Sequence, residues 1–447
     1  MPFRFALLAA MVVLVAVTAS ADPSDNNAVR VGLCYGPSAV QSVRISGTGT
    51  GAGESAAVRF WGELTATARD GGIIVRRADN GEDTAVGGWI EFAPTGRDPS
   101  TGSGSPRAES RGDPWLELGD ATYRGKIRLD LVEGNRLRVV NIVDIEDYVR
   151  GVVPNEMFAD LEAYKVQAVV SRTYLVYVRD AEHKHRADGF DICTTGHCQV
   201  YRGVDSEEPL SDEAVEATKG QLLTYQGRPI FSAYHSNAGG VTRPVDEAWP
   251  GSVRQNFPYL CQVDSPYDGQ AGSATGLGWC YRWQRDVTSV ELAARLRARG
   301  KEVGEVRDLA PVIVTSTGGI TELEVIGASG RARLNTPTEI REVLGVPSDR
   351  LTIEKRDSIV ESRDSSPHSL TFRVTGWGNG HGVGLSQHGA FAMSKAGYRY
   401  DQILGQYYRG VALTENYGQG DSRPLSPPEL RITAAQPPPA TLPPGSG

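Results

Sequence analysis

The stretch Asp160-Leu161-Glu162-Ala163-Tyr164-Lys165-Val166-Gln167-Ala168-Val169-Val170-Ser171-Arg172-Thr173-Tyr174-Leu175-Val176-Tyr177-Val178 decides the fold. Val166, Ala168, Val169, Val170, Leu175, Val176, Tyr177 and Val178 cover most of a helical circumference. A helix that is apolar nearly all round belongs inside a protein and not on its surface. Asp160 is the expected N-cap, and the helix is expected to run to about Glu182. Its two cations, Lys165 and Arg172, lie about two turns apart on one face. Burying a cation is costly unless an acceptor answers it. Two readings follow: a structural ion pair, with Asp147 or Glu146, or a cleft in which the cations orient an acid or an anion.

Working outward, residues 28–70 alternate apolar and polar in short runs between Gly-rich turns, as strands do. Further strands are expected at Tyr123–Leu129, Leu137–Val143, Gln221–Tyr225, Ile230–Tyr234 and within Ala310–Val325. Asp144 caps a short helix to Val149, and other helices are expected at 289–299, Glu339–Leu344, from Ser386, and at Tyr400–Tyr408. The order lacks a βαβ rhythm, so the fold class is α+β, mixed strands around a buried central helix. Residues 76–114 turn to Gly, Ser, Pro, Asp and Arg and read mostly as a disordered insertion or a long surface loop; the tail beyond Asn416 is Pro-rich and reads as disordered. The expected division is 1–21 as an export signal, 22–122 as a β-rich region carrying the insertion, 123–413 as the main domain and 414–447 as the tail.

The export reading rests on Arg4, the apolar run Phe5–Val17 and the small-residue site Ala19-Ser20-Ala21. The run is short for a membrane span, so no transmembrane domain is expected after cleavage and the mature chain is placed outside the cytoplasm; the alternative is an uncleaved N-terminal anchor. The formal net charge of −8 argues against a nucleic-acid partner. Of five cysteines, Cys261 and Cys280 bracket a Gly/Ser/Pro-rich segment that a disulfide could close in an oxidising compartment, and Cys34 is left over.

Four segments can carry chemistry. Glu156, in Val153-Pro154-Asn155-Glu156-Met157, sits before the long helix, where partial burial would raise its carboxyl toward the range of a general acid; the alternative is a solvated loop acid. His183, His185, Cys193, His197 and Cys198 permit a tetrahedral zinc site, the alternative being a Cys193–Cys198 disulfide. The glycines of Gly376–Gly389 let backbone pass close to other backbone or to a ligand, with Trp377 available to stack on a sugar and His381, Ser386 and Gln387 to bind it. Ser236 beside His235 lacks the elbow of a serine hydrolase.

Taken together, Asn141–Met157, Lys165–Tyr174, Gln199–Gly203, Ala217–Gly220, Tyr234–Gly240 and Gly378–Ala390 resemble, in this order, the stage II sporulation protein D or amidase-enhancer family. The resemblance covers about 123–413. It implies a lytic transglycosylase of peptidoglycan, with Glu156 as catalytic acid and Lys165 and Arg172 beside it; Tyr201 and His235 fall in matched segments as substrate-binding residues. It also implies a structural zinc on His185, Cys193 and Cys198, no cofactor being required for the chemistry. Two departures stand out: the Glu156–Lys165 interval is short and lacks a Trp-Pro, and the cysteine spacing differs. The expected reaction is cleavage of the MurNAc–GlcNAc bond to 1,6-anhydro ends, in which one acid serves both proton transfers. The alternative is a wall-associated module that binds glycan strands and enhances a separate amidase.

Overall fold

The computed structural model describes residues 27–95, 114–272, 276–356, 370–418 and 420–430. The expected export signal lies outside these. Among the described residues no helix is long and apolar enough to cross a membrane.

The N-terminal half is one large sheet. Its strands are β1 (Ala28–Cys34), β2 (Ser42–Gly53), β3 (Ala57–Arg69), β4 (Gly72–Arg77), β5 (Asp83–Ala85), β6 (Trp89–Pro94), β7 (Trp115–Leu118), β8 (Ala121–Arg124), β9 (Lys126–Val132), β10 (Arg136–Asp144) and β11 (Ile192–Cys193). They run in the order β11-β1-β10-β9-β6-β2-β3-β4-β5, with β7 and β8 attached to β2. Alternation sets the faces: Val29 and Val31 are buried and Arg30 exposed, as a period of two demands. The expected insertion at 76–114 is therefore too wide. Ile73, Val75, Ile90 and Phe92 are fully buried on β4 and β6, and the Gly- and Asp-rich turns between these short strands hid the alternation. Residues 96–113 lie outside the described chain.

From β10 the chain enters α1 (Ile145–Arg150), α2 (Val153–Glu156) and α3 (Leu161–Tyr177). Asp144 caps α1 by accepting from Glu146 N, and Asp160 caps α3 by accepting from Glu162 N and Ala163 N. Both caps match the sequence reading. The α3 helix is buried almost throughout and closes through a π-helical turn, Val178–Glu182, at His183 with φ +53°. Around it pack β12 (Leu222–Tyr225), β13 (Arg228–Pro229), α4 (Pro209–Ala217) and, from the far end of the chain, helices Gln387–Lys395 and Tyr400–Tyr407.

A second core is inserted between β14 (Tyr234–His235) and its partner strand Leu385–Ser386, which pair in parallel. The insertion holds β15 (Arg282–Thr288), a helix Ser289–Arg297, a three-stranded sheet over Val306–Leu334, a helix Pro337–Leu344, Leu351–Arg356 and Thr371–Trp377. Leu292, Val306, Leu323, Leu344 and Phe372 are among its buried residues. The whole arrangement is α+β, with mixed strands around a buried central helix. The tail also departs from expectation: Ser422–Pro424 pairs with Ala412–Thr414, so ordered structure passes Asn416.

Candidate active site and metal cluster

Pro154 in the first turn of α2 preorganises a short helix whose last residue is Glu156. That carboxylate turns inward. Oε1 accepts from Val200 N at 2.6 Å, the Tyr234 hydroxyl bonds it, and Gln387 Nε2 lies 3.5 Å from Oε2 while donating to Glu156 O. Burial outweighs these bonds and raises the carboxyl above its ordinary value of 4.5. Glu156 faces a cavity of about 440 Å³ whose apolar walls come from Tyr174, Phe231 and Trp249. Among the described residues lining it, no other carboxylate is present.

His235, His381 and Gln387 line the same cavity. His235 Nδ1 meets Val383 O at 3.1 Å, and burial holds this ring neutral, with its pKa lowered to about 3. His381 Nε2 meets Tyr234 O at 2.9 Å and its Nδ1 accepts from Val383 N at 3.1 Å; burial lowers its pKa too. Glycines make this possible. A Cβ on Gly384, at φ +72°, would stand 2.1 Å from Ala233 O, so the loop can lie against β14 only without a side chain there.

Five residues expected at the site lie elsewhere. Arg172 is fully buried in a bidentate pair with Glu146, at 3.0 and 2.6 Å. Glu146 also accepts from Gly220 N and the Tyr417 hydroxyl. Burial alone would raise the Glu146 carboxyl, but Arg172 and these donors hold it below 4.5. The structural ion pair is thus the observed arrangement, and Arg172 does not orient Glu156. Lys165 bonds Glu162 at 2.7 Å, outside the cavity. Tyr201 is buried, donating to Asn141 Oδ1 at 2.8 Å and stacked on Tyr148. Ser386 caps the following helix and donates to Asp268 Oδ1 at 2.6 Å. Trp377 lines a separate small void.

Sequence reasoning missed Tyr174, Lys184, Phe231, Tyr234 and Trp249. Tyr234 adjoins His235, Tyr174 ends the Lys165–Tyr174 stretch, and Lys184 lies between His183 and His185. Phe231 fell in the strand expected at Ile230–Tyr234, which the fold shortens to Tyr234–His235; Trp249 carried no local signal, because only the tertiary fold brings it to the groove.

Beside the cavity, the ligand atoms of His185, Cys193, His197 and Cys198 all lie within 4.8 Å of one another. His185 Nε2 is 3.3 Å from Cys198 Sγ, and His197 Nδ1 is 3.6 and 3.7 Å from the two sulfurs. A tetrahedral zinc with bonds of about 2.0–2.3 Å needs ligand separations of roughly 3.3–3.8 Å, so the donor set fits. Asp188 Oδ2 sits 2.8 Å from His185 Nδ1, the outer-shell contact that orients a metal-binding imidazole. Cys193 and Cys198 are both free, as are Cys261 and Cys280; neither expected disulfide is formed.

The groove thus combines a buried acid, aromatic walls that belong to or pack against the sheet-and-helix core, and an adjoining Cys/His cluster. A model described as stage II sporulation protein matches residues 133–225, and one for a domain of unknown function matches 252–384. The chain is 31% identical over 306 residues to the amidase enhancer of Bacillus subtilis, covering 59% of this chain and 40% of that protein. It is 29% identical over 290 residues to stage II sporulation protein D of the same species, covering 62% and 76%. An uncharacterized protein of Brachyspira hyodysenteriae is 30% identical over 284 residues, covering 62% and 68%. The chain belongs to the stage II sporulation protein D family.

Proposed function

We propose that this chain acts on the bacterial cell wall from outside the cytoplasm, gripping peptidoglycan glycan strands in the Glu156 groove and so enhancing a wall amidase. The observation that carries this reading is the match to an amidase enhancer over 59% of the chain. The groove supports it: Trp249, Phe231 and Tyr174 offer apolar faces for sugar rings, and Gln387 and Lys184 offer donors at its wall. The match spans 40% of the enhancer's own length, so the amidase partner belongs to this proposal alone.

A second reading, lytic cleavage, is favoured by one observation: burial keeps the Glu156 carboxyl protonatable. Neutral Glu156 would protonate the glycosidic oxygen as the bond to C1 of MurNAc breaks. The resulting carboxylate would then take the proton of the C6 hydroxyl as its oxygen bonds to C1, closing the 1,6-anhydro ring and restoring the acid. A single acid suffices for both transfers.

For the Cys/His cluster the proposed occupant is a structural zinc on His185, Cys193, His197 and Cys198. Four protein ligands would close the coordination sphere of such an ion, giving it a folding role and no open position for chemistry. The segment that follows Cys198 delivers Val200 N–H to Glu156, so the cluster positions the acid's partner.

The test pairs two assays on purified peptidoglycan. Stem-peptide release by a wall amidase is measured with and without this chain, and glycan ends are read by mass spectrometry with the wild type and Glu156→Gln. Faster release, retained in Glu156→Gln without anhydro ends, is the enhancer result. Anhydro ends from the wild type alone establish cleavage. Unchanged release and unaltered glycan overturn both.

A further inference from the structure

One turn of the inserted core reaches a helix of the main core. Strands Val306–Val314 and Ile320–Gly327 pair antiparallel, and the turn between them, residues 315–319, carries Ser316 and Thr317. Ser316 Oγ donates to Glu247 Oε1 and Thr317 Oγ1 to Oε2, each at 2.5 Å, and Thr317 N donates to Oε2 at 3.3 Å. Glu247 is buried, and among the described residues its hydrogen-bond donors are these hydroxyls and the main chain, with no cation at ion-pair distance. Burial alone would raise its carboxyl, but the donors of the turn hold it below 4.5. A buried carboxylate is costly without such donors, so the turn and Glu247 are held together.

Glu247 lies on the short helix Val245–Ala248, and the residue after it is Trp249, whose N donates to Val245 O at 2.9 Å. The Trp249 ring stands 4.8 Å from His381 and 5.9 Å from Phe231, and all three line the Glu156 groove. A second contact from the same turn bears on His381. Arg243 pairs with Asp349 of the inserted core at 2.6 and 2.9 Å, and its Nε donates to His381 O at 2.7 Å. Asp349 O accepts from Ile320 N, where the turn ends, at 2.9 Å. A Cβ on Gly319 would stand 2.3 Å from Arg243 Nη1, so the turn lies directly against that guanidinium. One turn therefore touches the supports of two rings that meet in the groove wall.

We propose that this turn of the inserted core is a positioning element of the groove: through Glu247 it fixes the Trp249 ring beside His381 as a platform for a sugar ring. The platform rests on the glycan-binding reading above. A single turn of helix has little stability of its own, so what clamps Glu247 decides where the following indole comes to rest. A binding side chain is only as well placed as the contacts that support it. Ser316, Thr317 and Glu247 lie outside the lining of the groove and act on a ligand through Trp249.

The test is fluorine NMR of the full chain labelled with fluorotryptophan, paired with equilibrium binding to peptide-stripped glycan strands. The Trp249 resonance is identified by its loss in Trp249→Phe. Ser316→Ala combined with Thr317→Val removes both hydroxyls. It is expected to shift the Trp249 resonance, leave the other tryptophan resonances in place, and weaken binding about tenfold. Ser316→Thr combined with Thr317→Ser keeps both hydroxyls and should show the wild-type resonance and affinity. Thr317→Val alone, a near-isosteric change, repeats the test if the double substitution unfolds the chain. A Trp249 resonance unmoved by loss of the hydroxyls overturns the positioning role, and so does an equal shift when they are retained. A shifted resonance with unchanged affinity overturns the platform and leaves glycan binding standing. Failure of the wild type to bind the strands overturns the glycan reading instead, and the resonance then decides the hold on Trp249 by itself.

Discussion

Glu146 and Glu156 flank the same short run of chain before α3, and the fold treats them in opposite ways. Glu146 meets a guanidinium, a main-chain N–H and a phenol, which hold it ionised. Glu156 meets a main-chain N–H, a phenol and an amide but no cation, and burial raises it. Their hydrogen-bond partners are similar in kind. The guanidinium makes the difference: where Arg172 points decides which carboxyl is a keystone and which can still give up a proton.

The strongest way to break the comparison is Arg172→Ala. It would strand a buried Glu146 charge and is expected to cost about 3–5 kcal/mol, read as a lower urea midpoint. A loss below about 1 kcal/mol would mean that the pair is not a keystone. Chelating the zinc proposed for the cluster is expected to cost about 2–3 kcal/mol, a fall in Tm on the order of 5 °C, and to loosen the loop that presents Val200 N–H. Retention of the full Tm by metal-free protein would remove the cluster from the account.

Acid dependence sharpens the contrast. The Glu156 pKa is raised by folding, so its contribution is fully present below 4.5 and is lost as pH rises through the folded value. Glu156→Gln escapes that loss, and its stability relative to wild type should climb as pH rises above 4.5. The Glu146 pKa is lowered, so its contribution is present above 4.5 and is lost as pH falls through the folded value. The deficit of Glu146→Gln should therefore shrink on acidification. Parallel pH trends in the two variants would erase the distinction. Smallest of all is Lys165→Ala, whose part-buried pair with Glu162 one turn away is worth no more than about 1 kcal/mol; glycan binding should not change.

Sequence periodicity was enough to find the buried helix, its Asp160 cap and the α+β class, because those depend on contacts between near neighbours. It also offered Glu146 as a partner for Arg172. It could not choose between a keystone and a cleft, since that depends on whether Gly220 and Tyr417 come to rest on Glu146. The groove was legible only in part. Glu156, His235, His381 and Gln387 stood in motifs, whereas Phe231 lay in an expected strand that the fold does not form and Trp249 follows a short helix, Val245–Ala248, that the sequence reading did not find. Ser386 and Tyr201 were placed at the site by motif, and the fold bonds their hydroxyls to Asp268 and Asn141: a hydroxyl in a short polar string serves a cap or a buried bond as readily as a ligand.

The most direct test of this division is infrared spectroscopy of the carboxyl stretch, taken as wild type minus Glu156→Gln across a pH titration. The account predicts that the protonated band assigned to Glu156 persists above pH 4.5. A band that disappears at or below that pH would make Glu156 an ordinary carboxylate and contradict its role as the protonatable group of the groove.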